Sequence, residues 1–116
     1  MTKTPEGEIK KLITKRLIAR GLLPAKDAVK ATKAHTGKFV MPVPNFRGVM
    51  GIPDYYGHYR GFFFEIEAKR PGEEPTALQR HQLIATALTG AASFAVDSEA
   101  AMNAVDEWMN KIDSML

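Results

Sequence analysis

Three charged residues of the chain have the types and spacing of a metal-dependent hydrolytic site. Asp54 follows Pro53, and Glu67 and Lys69 lie in the apolar segment FFFEIEAK at residues 62–69. Because side chains of a β-strand alternate between its two faces, Glu67 and Lys69 are expected to point the same way. Charged residues on a strand this apolar indicate either an exposed sheet face or a functional site.

The position of Asp54 favours a functional site. It precedes Glu67 across a predicted hairpin, and in an antiparallel pair the start of one strand faces the end of the other. Two carboxylates brought together repel each other unless a cation lies between them. Mg²⁺ and Mn²⁺ prefer oxygen ligands, so we expect them to bind Asp54, Glu67 and the Ala68 carbonyl. Lys69 is expected to orient or help deprotonate the attacking water, or to stabilise charge on a phosphate.

The charge of the chain is unevenly distributed. The 116 residues suit one domain, 1–116, with a formal net charge of +3. Residues 1–38 carry a large basic excess and the remainder an acidic one, so one part can meet phosphate while the other holds a cation. A solvated helix face is the alternative explanation of the basic part.

Composition excludes several other classes of protein. The chain has no cysteine, which excludes a disulfide framework and a zinc–thiolate site. No apolar run approaches the ~20 residues of a membrane span, and the N-terminus has no apolar leader segment. These features predict a cytoplasmic protein without membrane association.

The chain around these residues predicts the element order α-β-β-β-α-β-α. A helix begins at the Thr4 cap and ends near Gly21, whereas residues 22–37 fit either a short basic helix or a loop. The remaining predicted elements are strands at 38–43, 52–56 and 62–69 with a hairpin turn at 57–61, a helix at 76–88, a strand at 93–96 and a last helix after Ser98. This order predicts a mixed β-sheet flanked by helices, with one parallel crossover.

Four segments of the chain together resemble the VRR-NUC family, the virus-type replication-repair nucleases of the PD-(D/E)xK superfamily. Pro53-Asp54 matches the PD element, and Glu67-Ala68-Lys69 matches ExK. The segments are Thr4-Pro5-Glu6-Gly7, Gly51-Ile52-Pro53-Asp54, Phe63-Phe64-Glu65-Ile66-Glu67-Ala68-Lys69 and Pro75-Thr76-Ala77-Leu78-Gln79. A short motif recurs by chance, whereas four segments in order are a specific signal.

The resemblance implies a restriction-endonuclease-like fold and a structure-specific endonuclease that uses Mg²⁺ or Mn²⁺. It also implies a homodimer, of phage or bacterial type, acting on branched DNA such as four-way junctions during replication, recombination or repair. The catalytic positions of the family carry over to Glu6, Asp54, Glu67 and Lys69, with Gln79 in support. Residues 24–37 depart from the family, because they are longer than its usual link.

Two of these positions have competing explanations. Glu8 competes with Glu6, but the apolar face of the helix points closer to Glu6. Gln79 follows Thr76 by three residues, and a capping box explains it without any function.

The expected phosphate contacts are basic residues on several elements. Lys10 and Lys11 lie on the first helix, Arg47 and Arg60 lie near the turn after Asp54, and Arg80 follows Gln79. Two alternatives stay open: a catalytically silent DNA-binding module on a nuclease scaffold, and a restriction-type enzyme with sequence specificity.

Overall fold

The computed structural model describes residues 4–43 and 51–116 of the chain. Its elements are, in chain order, α1 (Pro5–Ala19), β1 (Leu22–Pro24), a 3₁₀ segment (Ala25–Lys30), β2 (Gly37–Val40), β3 (Tyr55–Tyr59), β4 (Phe62–Ala68), α2 (Ala77–Leu88), β5 (Ala92–Val96) and α3 (Glu99–Met115). No helix within these two ranges is long and apolar enough to cross a membrane.

The five strands form one mixed sheet in the order β1-β2-β3-β4-β5. The pairs β2–β3 and β3–β4 are antiparallel, while β1–β2 and β4–β5 are parallel. Because β4 and β5 run parallel with α2 between them in the chain, the predicted crossover through this helix is confirmed. The predicted mixed sheet flanked by helices is confirmed as well.

The alternation of β4 separates the apolar core from the polar side of the sheet. Phe64 and Ile66 are fully buried in the core, together with residues of α1 and α3. Glu65 lies on the other side, where it accepts a hydrogen bond from the Thr86 hydroxyl of α2. Apolar residues recur at helical spacing on the core faces of α1 and α3, which are lined by Ile9, Ile13, Leu17, Met102, Val105, Met109 and Ile112.

The segment after α1 contains a strand that the sequence did not predict. Leu22–Pro24 pairs in parallel with β2, with Leu22 opposite Gly37, so the order α-β-β-β-α-β-α lacks one strand. Three residues are too few to show an alternating pattern. Proline is tolerated at the end of this strand because β1 is an edge of the sheet.

The turn between β3 and β4 begins three residues later than predicted, although it ends at the predicted residue. Gly57 belongs to β3 rather than to a turn, since it pairs with Phe39 and Phe64. The position requires glycine because a Cβ there would lie 2.1 Å from the Lys38 carbonyl oxygen. The turn itself is Arg60-Gly61, with φ angles of 49° and 89°, as two-residue hairpin turns require. β3 itself begins three residues later than predicted, so Asp54 lies immediately before it.

Candidate active site

Asp54 and Glu67 meet at the open end of the β3–β4 hairpin. Tyr55 pairs with Ile66, so the residue before Tyr55 lies beside the residue after Ile66. The Ala68 backbone N–H donates a hydrogen bond of 2.8 Å to Asp54 Oδ2. The Asp54 and Glu67 carboxyl groups also lie within hydrogen-bonding reach of each other. The structure therefore brings together the two carboxylates that the sequence proposes as metal ligands.

Glu67 and Lys69 are charged residues placed inside the protein. Their exposed fractions are 3% and 6%, and no other charged residue in the described ranges is buried. The pKa of Glu67 is raised to about 8, first by burial and then by the neighbouring Asp54 and Glu6 carboxyl groups, while Lys69 opposes the shift. The surroundings of Glu67 thus disfavour its negatively charged form.

Glu6, rather than Glu8, contributes to this negative charge. Glu6 is half-buried at the start of α1, and its carboxylate acts on Glu67. Glu8 is exposed and pairs with Lys11, with 3.6 Å between Lys11 Nζ and Glu8 Oε1. The structure places the carboxylate chosen from the sequence at the site.

Gln79 takes part in a capping box and also contacts Glu67, one of the proposed site residues. Its side-chain Oε1 accepts a hydrogen bond of 2.9 Å from the Thr76 backbone N–H. The Gln79 backbone N–H donates in return to Thr76 Oγ1, which completes the capping box. Its Nε2 donates a hydrogen bond of 2.9 Å to Glu67 Oε1. The capping explanation is therefore correct but incomplete, because Gln79 also binds the buried carboxyl group of Glu67.

Lys69 follows the end of β4 and lies beside a second acidic group. Its backbone N–H donates to the Val96 carbonyl at 2.9 Å, which ties it to β5. Its ammonium lies 3.8 Å from Glu73 Oε1, in a cleft of about 170 Å³ that Asp97 also lines. Glu73 was not identified from the sequence, because a loop acid has no periodic signal.

Lys10 contacts the acidic site directly, which the sequence did not predict. Its Nζ lies 3.4 Å from Asp54 Oδ1. The sequence assigned Lys10 to a general DNA-binding surface. A usable signal was present, because Lys10 follows Glu6 by four residues and therefore shares its face of the helix.

The other expected phosphate contacts are dispersed. Lys11 is exposed, and Arg80 is exposed with its Nη2 3.0 Å from Glu74 Oε2. Arg60 lies in the turn at the far end of the hairpin from Asp54, with 2.7 Å between its Nε and Asp113 Oδ1. Arg47 lies outside the described residues.

The donor set fits a hard divalent cation that retains water ligands. Within residues 4–43 and 51–116, no group of three or more His, Asp or Glu side chains lies close enough to enclose a metal. Mg²⁺ commonly takes only one or two carboxylates and keeps several waters, and Mn²⁺ accepts the same ligands. Asp54 and Glu67 supply the carboxylates. In a β-strand the N–H and the carbonyl of one residue point to the same edge. The Ala68 N–H contacts Asp54, so the Ala68 carbonyl also points to the edge of β4 on which Asp54 lies.

The fold and the site define an α/β domain with a partly buried acidic centre at the open end of an antiparallel hairpin. No protein family model matches the chain, and no curated protein matches it.

Proposed function

We propose that the chain is a metal-dependent DNA endonuclease of VRR-NUC type, with a restriction-endonuclease-like fold. One observation carries the proposal: Asp54, Glu67 and Lys69 converge at one end of the sheet, although Asp54 precedes β3, Glu67 lies in β4 and Lys69 follows β4. A buried carboxylate beside two further acids is unfavourable in a protein without a ligand, and such sites are commonly functional.

Asp54, Glu67 and the Ala68 carbonyl would hold Mg²⁺ or Mn²⁺. When bound, the cation supplies positive charge to the phosphate and makes water a stronger acid. Its charge also replaces the proton that Glu67 otherwise retains near neutral pH. The raised pKa of Glu67 is thus what a carboxylate built for a cation is expected to show.

The chain prepares this site before any ligand arrives. The Ala68 N–H holds one oxygen of Asp54, and Gln79 holds one oxygen of Glu67. These hydrogen bonds fix the orientation of both carboxylates, which reduces the reorganisation required during the reaction. Lys69 brings a buried ammonium that orients the attacking water or stabilises the charge on the phosphate.

DNA is the substrate that the charge distribution supports best. Lys10, Lys11 and Lys15 follow one another along α1, which begins at the acidic site. Phosphate contacts of this kind position DNA without reading its sequence, so we expect selection by shape. Branched DNA and a homodimer are proposed from the resemblance to VRR-NUC nucleases.

A cleavage panel tests the proposal. Labelled four-way junction, flap and linear duplex are incubated with Mn²⁺ or Mg²⁺, with and without EDTA, and Glu67→Ala purified in parallel controls for contaminating nuclease. We expect the wild type to cut the junction only with the metal, and the variant to cut nothing. Cleavage of no substrate would indicate a silent DNA-binding module, and cleavage of linear duplex at one sequence would indicate a restriction-type enzyme.

A further inference from the structure

Lys10 lies where the acidic site meets the basic face of α1. Its ammonium contacts Asp54 Oδ1, while Asp54 Oδ2 already accepts the Ala68 N–H. On its other side, Lys10 borders a shallow and largely apolar groove of about 480 Å³, beside which Lys11 and Lys15 supply the positive charge. One side chain therefore borders both the proposed metal ligands and the proposed path of the DNA.

The position of Lys10 is held by the sheet beneath it. The Tyr55 hydroxyl donates a hydrogen bond of 2.8 Å to the Lys10 carbonyl, and its oxygen lies 2.8 Å from Thr14 Oγ1. Because a hydroxyl donates only one proton, Thr14 is the donor in the second bond. Tyr55 also follows Asp54 in the chain, so helix and carboxylate are tied to the same residue.

We propose that Lys10 is an exchangeable counter-cation, which pairs with Asp54 until a divalent cation binds there and then contacts a phosphate of the DNA. This inference rests on the proposed nuclease function. A divalent cation at Asp54 would compete with the ammonium for Oδ1 and repel it. The side chain is partly exposed, so it is able to turn toward the groove, where the bound phosphate backbone is the anion within reach.

The exchange makes metal binding and DNA binding depend on each other. Without the metal, a phosphate must displace Asp54 from Lys10, whereas with the metal the ammonium is already released. The metal therefore raises the affinity for DNA, and DNA raises the affinity for the metal by the same factor. One additional phosphate contact also steepens the dependence of log affinity on log salt by about 0.9.

The first test measures DNA binding in the Lys69→Ala background, which prevents cleavage during the measurement. Lys10→Ala is compared with Lys11→Ala, a matched control that removes the same charge one residue further along the helix and away from Asp54. Affinity for a labelled four-way junction is measured against salt, with and without Mn²⁺ at matched ionic strength. We expect Mn²⁺ to increase affinity and salt slope in the parent and in Lys11→Ala, but not in Lys10→Ala.

The second test measures Mn²⁺ affinity without DNA, by titration calorimetry. Removing the competing ammonium should strengthen Mn²⁺ binding about two- to fivefold, the factor typical of a partly exposed ion pair. Lys11→Ala should bind Mn²⁺ as the parent does. Circular dichroism of each variant verifies its folding, which alanine favours in a helix.

The outcomes separate this inference from the proposed function. Equal metal coupling in Lys10→Ala and Lys11→Ala, in a protein that cuts DNA, overturns the inference and leaves the nuclease intact. A wild type that cuts no DNA, but whose Mn²⁺-dependent DNA binding is lost in Lys10→Ala, overturns the nuclease and supports the exchange. Weaker Mn²⁺ binding in Lys10→Ala also overturns the inference, because Lys10 would then assist the metal.

Discussion

The two ends of the β3–β4 hairpin contain similar residue types in opposite electrostatic situations. At the turn end, the Tyr59 hydroxyl donates its one proton to the Asp113 carboxylate of α3, with 2.8 and 3.0 Å to the two oxygens, and Arg60 Nε donates to Oδ1 at 2.7 Å. At the open end, Glu67 faces Asp54 and receives a hydrogen bond from a neutral amide. A carboxylate is thus surrounded by donors at one end and by other acids at the other.

The pKa values of these carboxyl groups move in opposite directions. The hydrogen bond from Tyr59, reinforced by Arg60, lowers the pKa of Asp113 below its usual value. Burial, reinforced by Asp54, raises the pKa of Glu67 to about 8. The turn end therefore stabilises the charged form of its carboxyl group and contributes to folding, whereas the open end disfavours the charged form of Glu67, which a bound cation would stabilise. This difference is a reason to propose the open end, rather than the turn end, as the functional one.

The largest effect is expected when the open end loses a reacting group. Glu67→Ala and Lys69→Ala should each reduce the cleavage rate by a factor on the order of 10³, comparable to the loss of one preorganised catalytic group. DNA affinity should remain largely intact, as measured by binding to a labelled junction. Asp113→Asn at the turn end is the matched control and should keep its cleavage rate. Wild-type rates in both open-end variants would show that the site is wrongly assigned.

The stability of the metal-free protein should depend on pH in the direction set by Glu67. Its folded pKa of about 8 exceeds the ordinary value of 4.5, so the folded state binds more protons between these limits. The stability that this proton contributes is fully present below about pH 4.5 and is lost as the pH rises toward about 8. The free energy of unfolding should fall by roughly a few kcal/mol over this range. Urea unfolding at several pH values measures it. Glu67→Gln should flatten the profile, and parallel profiles for the two proteins would contradict the prediction.

A bound divalent cation should stabilise the charged form of Glu67, as Tyr59 and Arg60 stabilise the charged form of Asp113. Mn²⁺ at about 100 times its dissociation constant should stabilise the wild type by ~2.7 kcal/mol. The gain should be larger at pH 8 than at pH 6, because the metal binds the deprotonated carboxylate. Thermal unfolding with Mn²⁺ or EDTA provides the measurement. Glu67→Gln should respond weakly, and an equal response from this variant would place the cation elsewhere.

The smallest effect is expected from the residue that holds Glu67 in place. Gln79→Ala removes the hydrogen bond to Glu67 and part of the capping box, whereas Thr76→Ala removes only the cap. Both variants should lose about 1 kcal/mol of stability. Only Gln79→Ala should also lose metal affinity and cleavage rate, by about tenfold, as is usual for a group that orients a metal ligand. Matching losses of activity in both would reduce Gln79 to a capping residue.

Local patterns predicted most of the fold, and they failed where long-range pairing decides. The helices were found from their caps and apolar spacing, as at Thr76 and Ser98. β1 was missed because three residues become a strand only through pairing with β2. Gly57 was taken for a turn residue because its requirement, close approach to the Lys38 carbonyl, comes from a neighbouring strand.

The candidate site divides in the same way. The alternation of β4 and the spacing to Asp54 were enough to place Asp54, Glu67 and Lys69 together, because strand geometry converts spacing directly into position. The contacts of Lys10 and Glu73 were not predicted, since they depend on how a helix and a loop pack against the strand end. Arg60 lies in the hairpin turn as predicted, but the five-residue strand β3 separates it from Asp54, so it is at the far end of the hairpin.

By itself, the sequence determined which residues carry the proposed chemistry and which of them share a strand face. Only the tertiary structure decided that Glu67 is buried, that Gln79 reaches it, and that Lys10 occupies the second oxygen of Asp54. The physical reason is that alternation and helical period are local properties of the backbone. Burial and charge balance are sums over everything that packs around a group, and these sums set the pKa of Glu67.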